Sequence, residues 1–236
     1  MYHQLALLES VLTGELFRDP SHNGKYDPES RRIGGDWPAN AWTMIGAIRL
    51  AHLRKCCQNV ILAGIPGAFI ECGVWRGGAS IMMKAVIEGS GELRSVICAD
   101  SFCGLPKPTL PQDSTFSMSE DDLKYLAVPL EEVKDNFNRF GLLDSSVVFL
   151  PGWFKDTLPK LHEPLAILRI DGDLYESTMD ALTGCYRLLS PGGYVIIDDY
   201  GAMLECRRAV HDFRAQEGCT EAIQQIDHAG VYWVKS

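Results

Sequence analysis

Two nearly unbroken apolar runs, Leu165 to Ile170 and Tyr194 to Ile197, each end in an acidic pair, Asp171-Gly-Asp173 and Asp198-Asp199. Runs of that length with little polar alternation read as strands buried on both faces, which is the signature of a parallel sheet covered by helices. Such sheets bind ligands at the carboxyl ends of their strands, so the two pairs converge on one place. Any single aspartate there is also explained as an ordinary turn residue. Matched pairs are explained less well that way, and four carboxylates in one place repel one another unless a cation joins them. An all-oxygen donor set with positions left for water or substrate suits magnesium better than zinc.

The rest of the chain alternates in the same way. Strands are expected at Gly67 to Cys72, Ser95 to Ala99, Val147 to Leu150, Leu165 to Ile170 and Gly193 to Ile197. Helices are expected at Ala79 to Glu88, Leu130 to Phe140, Ser177 to Leu189 and Met203 to Gln216, with Ser177-Thr178 as a cap, and Ala222 to Val234 closes as a hairpin. Alternating βα units followed by a hairpin predict an α/β, doubly wound, mostly parallel sheet with an antiparallel carboxyl-terminal end. Residues 1–40 stand apart as an amphipathic stretch, Leu5 to Phe17, followed by a Gly, Pro, Asn and Asp-rich loop or lid, Asp19 to Pro38. Residues 41–236 form the main domain, and the long connection at about 103–129 reads as a second lid, in which Asp113, Ser114 and Thr115 are candidates to touch a polar substrate.

Composition narrows the partners. A net charge of −9 across 236 residues argues against nucleic acid, which demands a concentrated basic surface. No run approaches membrane-spanning length and the amino terminus has no signal-peptide pattern, so a soluble cytoplasmic protein is expected. The eight cysteines contain no Cys-x-x-Cys and read as reduced thiols rather than zinc ligands. The six histidines show no paired ligand spacing, and Glu120-Asp121-Asp122 reads as a solvated acidic cluster.

The first strand runs into Glu71-Cys-Gly73-Val74-Trp75-Arg-Gly77-Gly78-Ala-Ser80, a glycine-rich turn before a helix. It is not the Gly-x-Gly-x-x-Gly dinucleotide fingerprint. Glu71 beside helix-start amides suits a ligand that carries both an ammonium and a carboxylate, as the amino-acid end of S-adenosylmethionine does. A tight turn with glycines for packing is the other reading. Asp100, ending the second strand, is placed for ribose hydroxyls, with Ser101 and Phe102 extending that wall. Gly152-Trp153 supplies a flexible backbone and an aromatic face for adenine, although Trp153 fits a core position equally well.

The segments Ile70 to Gly78, Ala99 to Pro106, Phe149 to Pro159, Leu168 to Met179 and Pro191 to Gly201 together resemble the macrocin O-methyltransferase (TylF-like) family, enzymes that methylate sugar hydroxyls on macrolide and aminocoumarin antibiotics. The resemblance spans about Thr43 to the carboxyl terminus and is loose over the first forty residues and Gln112 to Tyr125. It implies a Rossmann-like class I methyltransferase with a seven-stranded sheet, S-adenosylmethionine and magnesium as cofactors, a small-molecule glycoside substrate and at least a homodimer. Residue by residue, it implies Asp171, Asp198 and Asp199 as magnesium ligands and Asp173 as general base. It places Glu71, Gly73, Val74 and Trp75 at the methionine end of the cofactor with Thr43 and Met44 closing over it, and Asp100 at the ribose. Catechol O-methyltransferases share a similar metal arrangement, but their lysine base would fall on Leu174. Methylation of a catechol or other phenol, and a non-catalytic cofactor-binding role, are the two alternative functions.

Overall fold

A computed structural model describes residues 2–236. In chain order the elements are α1 (Tyr2–Leu12), α2 (Pro28–Ile33), α3 (Gly46–Leu62), β1 (Ala68–Cys72), α4 (Gly78–Ser90), β2 (Val96–Asp100), α5 (Glu120–Leu126), α6 (Leu130–Arg139) and β3 (Val147–Pro151). They continue as α7 (Phe154–Thr157), β4 (Leu165–Ile170), α8 (Tyr175–Cys185), β5 (Leu189–Ile197), α9 (Leu204–Glu217), β6 (Gln224–Gln225) and β7 (Val231–Val234). The seven strands lie in the order β3-β2-β1-β4-β5-β7-β6, and β7 is antiparallel to both of its neighbours. The predicted mostly parallel sheet with an antiparallel hairpin is therefore observed.

Alternating side chains of the strands feed two cores. Phe69, Val96, Cys98 and Ile167 pack under α1, α3, α4 and α6, while Ile70, Cys72, Ile97, Leu168 and Ile170 pack under α8 and α9. Each fully buried Ile, Leu or Phe contributes roughly 1.5–3 kcal/mol to holding those layers together. Sheet order reverses between β1 and β4, so their carboxyl ends diverge from opposite helix layers and leave a crevice there. All eight cysteines are free, and six are buried, as expected for reduced thiols acting as small apolar groups.

Three local expectations need correction. The stretch Asp19 to Pro38 is not an open loop: it contains α2, whose amino end is capped by Asp27 accepting from the Ser30 amide at 2.7 Å and whose carboxyl end is Gly34 in the left-handed region. Arg31 of α2 is fully buried and donates to the Thr13 and Asp19 carbonyls and, in a two-pronged pair, to Asp36. Asp19 in turn accepts from the Asn40 and Ala41 amides, so the segment is a rigid wall. The amino-terminal helix ends at Leu12 rather than running to Phe17, because a turn with Gly14 in the left-handed region intervenes.

The third correction concerns α8. It begins at Tyr175, two residues before Ser177, so Ser177 and Thr178 lie buried inside it and do not cap it. Its cap comes from Asp113, 62 residues before Tyr175, whose carboxylate accepts from the Tyr175 amide at 2.6 Å and the Glu176 amide at 3.1 Å. Asp113 is fully buried, which removes it as a substrate contact. Thr115 donates to Glu205, and Ser114 donates to the Pro111 carbonyl. The connection 103–129 also contains α5, capped by Ser119 and carrying the exposed Glu120 and Asp121 in its first turn. Among the described residues no helix is long and apolar enough to cross a membrane.

Candidate active site

A cavity of about 270 Å³ opens at the carboxyl ends of β1, β2, β4 and β5. Gly73, Trp75, Asp100, Ser101, Gly152 and Trp153 line one side; Asp171, Asp173, Asp198 and Asp199 line the other; and Met44 contributes from the segment before α3. Eleven of the residues singled out in the sequence thus share one cavity. The connection 103–129 supplies further wall through Leu105, Pro106 and Met118.

Backbone strain is concentrated there. Trp75, Phe102 and Asp173 follow β1, β2 and β4, and all have φ near +50°. Non-glycine residues in that region cost of order 1 kcal/mol or more each and persist where surrounding structure holds them. Gly73 has φ +91°, and a Cβ there would lie 1.9 Å from the Asp171 carbonyl oxygen. Only glycine lets the turn after β1 pass so close to the turn after β4.

The acidic side is a cluster with internal counter-charges. Carboxylate oxygens of Asp171, Asp198 and Asp199 lie within 4.8 Å of one another. Fully buried Arg169, on β4, donates to Asp171 at 2.9 Å, to Asp198 at 2.5 Å and to Glu71 at 2.6 Å. Arg49 of α3 donates to the other oxygen of Asp198, to Asp227 at 3.1 Å and to the Gly34 carbonyl at 3.3 Å. Burial raises the carboxyl pKa values of Asp171, Asp173 and Asp199, and repulsion from neighbouring carboxylates, Asp198 among them in each case, raises them further. An octahedral magnesium ion with oxygens at 2.0–2.1 Å sets its ligands roughly 3–4 Å apart, so this hard-oxygen triad fits one after a small contraction.

Asp173 differs from its neighbours. Its amide donates to Asp199 at 3.2 Å, but no arginine or amide donates to its carboxylate among the bonds that hold the site. A half-buried carboxylate beside like charges, with no donor to stabilise its ionised form, has its proton affinity raised.

Four residues singled out in the sequence are absent from the cavity wall. Glu71 is buried one layer beneath it, between Arg169 and the hydroxyl of Ser80, and burial pushes its carboxyl up to about 7 against the pull of Arg169. Both its oxygens are taken up by Arg169 and Ser80, and it does not line the cavity. Thr43 and Val74 are buried, and Phe102 packs edge-on against Phe149. The start of α4 is also closed, because the Gly78 amide donates to the Trp42 carbonyl at 2.9 Å. Asp100 does face the cavity, but it also accepts from the Val74 and Phe102 amides at 2.7 Å each, so it ties together the turns after β1 and β2.

Arg49, Arg169 and His228 belong to the site and were not singled out for it from the sequence. Most of the carboxylates these arginines pair with lie far off in the chain, Asp227 as many as 178 positions from Arg49 and Glu71 98 positions from Arg169, so there is little local signal for them in the sequence.

The family model described as Macrocin-O-methyltransferase (TylF) matches residues 4–235. The chain is 48% identical to the 8-demethyl-8-(2,3-dimethoxy-alpha-L-rhamnosyl)-tetracenomycin-C 4'-O-methyltransferase of Streptomyces olivaceus, over 97% of this chain and 91% of that protein. It is 43% identical to the mycinamicin III 3''-O-methyltransferase of Micromonospora griseorubida, over 98% of this chain and 96% of that protein. Its structure superposes on that of the O-methyltransferase NovP with a TM-score of 0.96 at 45% identity, covering 100% of this chain and 99% of the other.

Proposed function

This chain belongs to the macrocin O-methyltransferase family, and from that premise we propose that it methylates a hydroxyl of a deoxysugar on a glycosylated natural product, using S-adenosylmethionine and magnesium. The observation that carries the reading is Asp173, a carboxylate without a donor, facing the cavity beside a triad of carboxylates matched to a hard cation.

The roles follow from position. Gly73, Asp100, Ser101, Gly152 and Trp153 line the side suited to S-adenosylmethionine, with Met44 and Trp75 closing it. Asp171, Asp198 and Asp199 would hold magnesium, which when bound lowers the pKa of a neighbouring hydroxyl and orients it. Asp173 accepts the hydroxyl proton as the new carbon–oxygen bond forms and the carbon–sulfur bond breaks. The strained turn at Asp173 and the ring of bonds around Arg169 hold the acceptor side still, and alignment is the larger part of rate enhancement in a displacement of this kind. Leu174, where the catechol enzymes have lysine, is 1% exposed, which favours Asp173 as the base.

The name of the Streptomyces olivaceus relative puts methoxy groups at positions 2 and 3 of its rhamnosyl substrate and the new methyl at 4'. An ether oxygen then stands beside the reacting hydroxyl. By extension, the acceptor here needs one free hydroxyl with a neighbouring oxygen, not a free diol. We take the enzyme to be cytoplasmic and to act as a homodimer or larger homo-oligomer, with exposed Leu7, Leu16 and Phe17 offering an apolar face at its amino-terminal end; sedimentation velocity tests the assembly.

Labelled S-adenosylmethionine offered with a panel of deoxysugar glycosides and catechols, with magnesium and with excess chelator, tests the function. Chelator-sensitive labelling of a glycoside is expected. Labelling of catechols alone would move the acceptor to the phenolic class, and labelling of glycosides unchanged by chelator would remove the metal.

A further inference from the structure

Asp173 is the one aspartate of the site in the left-handed region, and the backbone around it has few anchors. The Asp171 amide donates to the Cys72 carbonyl at 2.9 Å, the Asp173 amide donates to Asp199, and the Leu174 amide closes the turn on the Gly172 carbonyl at 2.5 Å. The next two anchors, the amides of Tyr175 and Glu176, both donate to Asp113. At the position before α8 stands Leu174, which has no polar side chain to cap the helix. A helix start left without a cap has orphan amides, and supplying a carboxylate there is stabilising both as a hydrogen-bond acceptor and against the helix dipole.

Asp113 belongs to the connection 103–129, the same segment that brings Leu105, Pro106 and Met118 to the cavity wall. That segment is tied to the helices behind the base at two further points, Thr109 to Glu176 and Thr115 to Glu205. Displacing the wall therefore withdraws the carboxylate that holds two consecutive amides, two and three residues beyond Asp173.

We infer that Asp113 is a positioning residue for the methyl-transfer reaction: it couples the seating of the 103–129 wall to the alignment of Asp173. The inference rests on the reading of Asp173 as the base. When the wall is seated, the Asp173 turn is clamped between Asp199 and Asp113. When it is lifted, for entry or release, one side of the clamp opens and the base loses its geometry, so proton removal is confined to the closed site.

The test compares D113A, D113N and D173N with the parent, each with S-adenosylmethionine and magnesium, and reads amide hydrogen exchange at residues 171–178 alongside kinetics. For D113A, kcat falls about 10- to 100-fold, in line with the cost of a small misalignment, while KM for S-adenosylmethionine stays within about threefold. Exchange at Tyr175 and Glu176 accelerates, and D113N, which keeps one acceptor oxygen, recovers part of the lost kcat. Parental kcat in D113A, or equal losses of kcat in D113A and D113N, would overturn the coupling. If D113A does not fold, D113S, whose short hydroxyl cannot reach both amides, is judged by the same criteria. D173N separates the two claims: parental turnover there would overturn the base reading and this inference with it, whereas an inactive D173N beside a fully active D113A would overturn the coupling alone.

Discussion

Arg169 of β4 reaches across to Asp198 at the end of β5, with its guanidinium 2.5 Å from the carboxylate and neither group open to solvent. The same guanidinium holds Glu71 and Asp171, so one cation serves three carboxylates, two of them buried and Asp171 partly so. Removing it leaves those charges uncompensated in a poorly solvated place. R169M is expected to cost about 3–5 kcal/mol, the range for deleting one partner of a buried ion pair. Urea unfolding monitored by circular dichroism measures it; a loss below about 1 kcal/mol would show that the carboxylates simply take up protons instead.

Gly73 permits the contact between the turns after β1 and β4. G73A adds a Cβ that meets the Asp171 carbonyl oxygen at 1.9 Å and strains a backbone at φ +91°. The strain alone costs of order 1–3 kcal/mol. The clash displaces Asp171 as well, so both S-adenosylmethionine and magnesium affinities should fall by at least about tenfold, which isothermal calorimetry reads directly.

Stability should respond to pH through His52. This histidine of α3 packs on Tyr232, and burial together with nearby Lys55 lowers its pKa from 6.5 to about 4, against the weaker pull of Asp227. Between those values the unfolded chain binds a proton that the folded chain does not, so stability is lost as pH falls from about 6.5 to 4. H52F keeps a ring against Tyr232 and removes the proton. Its melting temperature relative to the parent should therefore rise on going from pH 7 to pH 4.5; a difference that stays constant across that range would contradict the assignment.

Magnesium should stabilise the protein in proportion to its occupancy. At one hundred times its dissociation constant a ligand confined to the folded state adds about 2.7 kcal/mol. The melting temperature is expected to rise with magnesium, to return with chelator, and to be unresponsive in D199N. A parental response in D199N would remove Asp199 from the ligand set.

Much of this was legible in the chain because it is written locally. The buried run Leu165 to Ile170 became β4 with the same boundaries, since a continuous apolar stretch has no competing amphipathic solution. The acidic pairs converged because topology sends the ends of neighbouring parallel strands to one place. Helix α2 was also written locally, as Asp27 before it, Pro28 at its first position and Gly34 after it, but the surrounding glycines and prolines drew the reading toward a loop. Other features have no local trace. The cap of α8 is Asp113, so the nearby Ser177 and Thr178 gave a false start. Glu71 reads in sequence as a ligand-facing acid, and only the fold places it beneath the cavity wall, bonded to Arg169 on the adjacent strand. Arg49 meets Asp198 only after the whole sheet has formed. Pairings of this kind depend on the finished fold, and a single sequence does not display them.

The proposed role of Asp173 as the base in a magnesium-assisted methyl transfer is tested most directly by single-turnover transfer from labelled S-adenosylmethionine to a deoxysugar glycoside by D173N, with binding of both cofactors measured by calorimetry on the same sample. Binding close to that of the parent is expected, with a rate of transfer lower by about 100-fold or more, the span of general base catalysis. Transfer at the parental rate with both cofactors bound would contradict that role.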